Sequence, residues 1–106
     1  MKNFVRVTGL VISLAVLLST SAFGDSGADT FKSKCAACHG ATGAADTAMG
    51  KSMHIKDLGS ADVQSKSDAQ LTEIITKGQK PMPGYEGKLT GDQINDVVKY
   101  IRTLKK

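Results

Sequence analysis

The chain has 106 residues, a formal net charge of +4 at pH 7, 5% aromatic residues and only two cysteines. Its lysines are spread singly from Lys32 to Lys99, with no basic patch interleaved with aromatics, which argues against nucleic-acid binding. Carboxylates are equally scattered and no serine stands in a nucleophile motif, so the composition points away from hydrolysis.

Residues 1–24 read as a cleaved export leader. Lys2 and Arg6 supply the positive end, Leu10 to Leu18 is apolar except for Ser13, and Ala22 and Gly24 give the small-residue spacing for a cut after Gly24. The apolar run falls short of the roughly 20 residues that cross a bilayer, so no stable membrane anchor is expected. No cysteine precedes Cys35, which excludes a lipid-modified cysteine at the cut. The expected product is one domain, residues 25–106, in the periplasm.

That mature domain carries 12 basic against 10 acidic side chains, and only 29 of its 82 residues are hydrophobic, nine of them alanine. A chain this small buries only about 60% of its unfolded surface and normally needs a disulfide, a metal or a cofactor to complete its core.

The first predicted helix spans about Gly27 to Cys38, with Phe31 and Cys35 four residues apart on one face. It runs into Cys35-Ala36-Ala37-Cys38-His39, a C-x-x-C-H pattern that reads as covalent haem attachment. Positions i, i+3 and i+4 share a helix face, so two thiols can bond the haem edge while the imidazole reaches the iron. Both cysteines of an exported chain fall inside this motif. Two other readings fit less well. A thioredoxin-like dithiol normally follows a strand, and no strand pattern precedes Cys35. A zinc site needs four ligands, and Cys35, Cys38, His39 and His54 are the only nitrogen or sulfur donors besides methionine.

Gly40 to Gly50, rich in Gly, Ala and Thr, reads as a loop, and a short helix fits between Ala48 and Asp57. The next helix starts at Ser67 with Gln70 three residues on, a capping box. It carries Leu71, Ile74 and Ile75 as an apolar stripe and stops at Gly78. Gln79 to Leu89, with both prolines, is a second loop. Within it Pro81-Met82-Pro83 fixes the backbone on either side of a thioether, which makes Met82 the candidate sixth iron ligand and His54 the alternative. Met49 and Met53 are expected to pack around the haem edge. The last helix starts at Thr90 with Gln93, a second capping box, and aligns Ile94, Val97, Val98, Ile101 and Leu104. With both axial positions filled, the iron has no open site for oxygen or peroxide, and one-electron transfer is the fitting role. A haem peroxidase or gas sensor with a labile Met82 is the competing reading.

Taken together, this order of elements resembles the class I monohaem c-type cytochromes over Gly27 to Leu104. The resemblance implies an all-α fold of three to four helices wrapped around one covalently attached haem c, with the first and last helices crossing. Gly27, Phe31, Val97 and Tyr100 match the crossing positions. It also implies a carrier, not an enzyme, whose redox partner proteins dock transiently near an exposed haem edge, where Lys34, Lys51, Lys80 and Lys88 can steer an acidic surface. One departure stands out. Many relatives have a proline soon after the motif whose carbonyl orients the histidine ring, and Gly40 to Ala45 contains none. Some other backbone group is expected to accept from that ring.

Overall fold

Each of the two longest helices begins where a hydroxyl and an amide satisfy each other's neighbouring N–H groups. A computed structural model describes residues 26–106; the proposed leader, its cut after Gly24 and Asp25 lie outside the described residues. Among the described residues there are six helices: α1 Gly27–Lys34, α2 Ala36–His39, α3 Ala48–Ser52, α4 Ala61–Gln64, α5 Asp68–Lys77 and α6 Gly91–Thr103. Among the described residues there is no strand, only isolated bridges at Gln79 with Met82 and Glu86 with Leu89.

Both capping boxes form as expected. The Ser67 hydroxyl accepts from the Gln70 N–H at 3.1 Å, and the Gln70 amide oxygen accepts from the Ser67 N–H at 2.8 Å. Thr90 and Gln93 repeat the pattern at 3.1 and 2.8 Å. Each box satisfies two backbone donors that an open helix end leaves unpaired. The α6 stripe Ile94, Val97, Val98 and Ile101 is buried, and Leu104 packs at its edge.

α1 and α6 cross where Gly27 faces the Asp96 carbonyl and the Tyr100 side chain, and a Cβ on Gly27 would run into that carbonyl. Phe31, 1% exposed, lies below the crossing with its ring 5.1 Å from that of Tyr100. Burying side chains such as Phe31 and Val97 contributes about 1.5–3 kcal/mol each. The crossing closes the back of the core and leaves the other side of α1 to face a cavity.

Two elements differ from expectation. The first helix is two, because Cys35 (φ −116°, ψ −32°) departs from helical geometry and the chain bends there before one further turn. Phe31 O still accepts from Cys35 N–H at 2.8 Å across this break. The single-turn α4 has no sequence signal: Val63 is its only large apolar residue, and one residue has no period. It is held from outside, by Gln64 Nε2 donating to the carbonyls of Leu58 (2.8 Å) and Ile101 (2.9 Å).

Candidate functional site

Cys35, Cys38 and His39 share one turn. The Cys35 carbonyl accepts from the N–H of Cys38 at 3.2 Å and of His39 at 3.0 Å. Gly40 ends the turn at φ +80°, a region that side chains rarely adopt. The loop that follows clamps this turn. Ala45 N–H donates to His39 O at 2.7 Å, and the Thr47 hydroxyl donates to Cys38 O at 2.8 Å while accepting from Gly50 N–H at 2.9 Å. Gly50 is needed at this clamp, since a Cβ there would press on the Ala45 and Cys38 carbonyl oxygens.

Met82 comes from a separate device. Gln79 and Met82 exchange backbone hydrogen bonds, 3.0 Å from Gln79 N–H and 2.7 Å from Met82 N–H, which closes a tight turn around Lys80-Pro81. The chain then lies back on α5, with Tyr85 N–H on Ile75 O at 2.9 Å and Glu86 N–H on Thr76 O at 3.0 Å. Gly78 (φ +84°) and Gly84 permit this approach, because a Cβ on either would strike backbone of the facing segment. The Tyr85 hydroxyl donates to the Lys34 carbonyl at 2.9 Å and so ties the Met82 loop to the end of α1. Sequence reasoning missed Tyr85, since a bond between residues 51 positions apart leaves no local signal.

These two devices face one cavity of about 570 Å³, within the roughly 300–1,000 Å³ typical of ligand sites. Cys35, Cys38, His39 and Met82 all line it, with Phe31, Leu71, Ile75, Val97 and Ile101 as apolar wall. His54 and Met53 also line it. His54 is exposed and adopts φ +53°, and Met53 is 39% exposed. Met49, 47% exposed, is not part of the lining, so of the two methionines expected to pack around the haem edge only Met53 reaches the cavity. Of the lysines named for steering, Lys34 and Lys80 stand at the cavity and Lys51 and Lys88 do not.

Burial, and secondarily the neighbouring Cys38, pushes the Cys35 thiol up to about 11. A thiol held protonated is a poor nucleophile, the reverse of a redox-active C-x-x-C, whose working cysteine has a lowered pKa. Burial also pushes Tyr85 up and lowers His39, which keeps the imidazole neutral with a lone pair to offer a metal. No group of three or more His, Cys, Asp or Glu side chains is placed to hold a bare metal ion among the described residues, contrary to the zinc alternative.

The expected backbone acceptor for His39 is not there. Nδ1 is buried without a hydrogen-bond partner. The ring is set instead by its place on α2 and by Phe31, 6.3 Å away between ring centres. A partly closed, mostly apolar slot, two thiols and an imidazole on one turn, and a thioether on a separate loop fit a covalently bound haem.

Known proteins agree with that fit. The family profile described as "Cytochrome C oxidase, cbb3-type, subunit III" matches residues 22–101. The chain is similar to cytochrome c6 of Thermosynechococcus vestitus, 31% identical over 103 residues that cover 94% of this chain and 89% of the relative. It is 36% identical to cytochrome c6 of Limnospira maxima over 78 residues, 71% of this chain and 85% of the relative. Among solved structures, the KustC0563 c-type cytochrome superposes with a TM-score of 0.71 at 27% identity, covering 77% of this chain and all of that one. The chain belongs to the class I c-type cytochromes, small all-helical proteins built around one covalently bound haem c.

Proposed function

We propose that this protein is a one-electron carrier in which Cys35 and Cys38 would bond the haem and His39 and Met82 would hold its iron. The observation that carries the reading is that all four side chains line one apolar cavity although they come from two independently built segments. The bound haem supplies the redox chemistry, iron(III) to iron(II) and back.

The chain's own residues set the terms of that exchange. His39, kept neutral by burial, donates a ring nitrogen. Met82 offers an uncharged sulfur, and a thioether opposite an imidazole raises the potential. His39 and Met82 together would leave the iron no vacant site for a substrate, which suits a carrier and not an enzyme. Phe31, Leu71, Val97 and Ile101 exclude water from the ring. Lys34 and Lys80 at the rim favour a transient encounter with an acidic redox partner. Residues 1–24 are the cleaved leader that delivers residues 25–106 to the periplasm, where haem attachment takes place.

The test is the denatured mass and visible spectrum of protein produced with periplasmic haem-attachment machinery. The expected result is one covalent haem per chain, removal of residues 1–24, and sharp low-spin bands on reduction. A colourless protein of unmodified mass, alongside a correctly matured control cytochrome, overturns the reading. High-spin ferric iron in the wild type supports instead a sensor or peroxidase with a labile Met82.

A further inference from the structure

Haem c brings two carboxylates into this chain, at the porphyrin edge opposite its thioether bonds. A carboxylate set against a partly closed apolar cavity is costly unless a cation or a hydrogen-bond donor meets it. The charged side chains lining the cavity are Lys34, Lys56, Lys66 and Lys80, and no Asp or Glu is among the lining residues.

Two of these lysines are committed elsewhere by their position. Lys34 directly precedes Cys35, and its carbonyl is held by Tyr85, so it belongs to the thioether edge. Lys80 lies within the tight turn that carries Met82. The other two come from the 54–66 segment, which belongs to neither the thioether turn nor the Met82 loop. We infer that Lys56 and Lys66 hold the two haem carboxylates, an assignment that rests on the cavity being the haem site.

The local structure suits both for this role. Lys66 has its backbone fixed while its side chain makes no ion pair among the described residues. Its N–H donates to Val63 O at 3.1 Å, and its carbonyl accepts from Arg102, which also donates to Gln64 O at 2.9 Å and pairs with Asp68. Lys56 is paired only with Asp62, at 3.2 Å, and the two side chains are 69% and 72% exposed. So open a pair is worth about 0–1 kcal/mol, which leaves Lys56 able to turn inward. α5 and α6 bring apolar residues to the cavity, including Leu71 and Ile101. The remaining titratable groups there are His39, His54, Tyr85 and the two cysteines.

This arrangement has a measurable signature. Reduction adds one electron to the iron and makes its surroundings more negative. With two lysines in place the carboxylates stay ionised in both redox states, no proton accompanies the electron, and the potential is flat from about pH 5 to about pH 8. Without them, the partly desolvated carboxylates hold protons more tightly, the more so when the iron is reduced. One proton from solvent then accompanies the electron, and the potential falls as pH rises.

The experiment is electrode titration of the holoprotein across that pH range, comparing wild type, K56Q, K66Q, the K56Q/K66Q double variant and K34Q. A parallel series in an H54Q background removes the second imidazole that lines the cavity. The expected outcome is a flat wild type, a falling slope in each single variant, the steepest slope in the double variant, and no new slope in K34Q. If the double variant does not accumulate, the single variants decide the question. A flat profile in K56Q and K66Q, with intact low-spin spectra, overturns the lysine assignment and leaves the haem site standing. A wild type without covalent haem overturns the site itself.

Discussion

The two halves of the proposed haem site are built by different physics. The Cys35–His39 turn is local: its spacing, its helical hydrogen bonds and its glycine stop all lie within six residues, and the 45–50 loop merely locks it. The Met82 segment is assembled from a distance, by a two-residue backbone exchange, by docking on the end of α5 and by the Tyr85 tether to α1. Damage to the first half should therefore abolish the site. Damage to the second should loosen one ligand and leave the haem attached.

The largest effect is expected from replacing Cys35 and Cys38 together with Ala. The helices alone bury too little, so the haem-free chain should show neither cooperative thermal unfolding nor native helical circular dichroism. Gly78→Ala should come next. It forces a side chain into φ +84° and against the Met82 and Gly84 backbone, at a cost of about 1–3 kcal/mol or more in guanidinium unfolding. Because the Cys35–His39 turn is untouched, haem content by denatured mass should stay at one per chain.

Tyr85→Phe removes one hydrogen bond and should cost about 0.5–1.5 kcal/mol, with a small loss of Met82 occupancy visible as a high-spin fraction. Ser67→Ala removes half of a capping box at an exposed helix start. It should cost about 1 kcal/mol, with no change in the haem spectrum. This last variant sharpens the comparison by separating loss of stability from loss of a ligand.

Much of this was readable in the sequence wherever the cause was local. Two capping boxes and the apolar stripes of α5 and α6 follow from spacings of three or four residues, while the crossing residues Gly27 and Tyr100 came from the family resemblance. The C-x-x-C-H pattern could be read because its chemistry needs one helical turn and nothing else. What escaped is non-local. The α4 turn depends on Gln64 reaching the Leu58 and Ile101 carbonyls, and Tyr85 acts across 51 positions. Lys56 and Lys66 look like any other scattered lysines until the chain path brings them to the cavity. The absence of an acceptor for His39 Nδ1 also emerged only in three dimensions, since it depends on which groups the fold brings to the buried ring.

The central claim is that the distant segment delivers an iron ligand to the local one, and the ferric methionine-to-iron charge-transfer band tests it most directly. The account predicts that the band is present in the wild type, persists in Met53→Ala and His54→Ala, and disappears in Met82→Ala, with high-spin iron and a lowered potential. A band that survives Met82→Ala, or one lost in Met53→Ala, would contradict it.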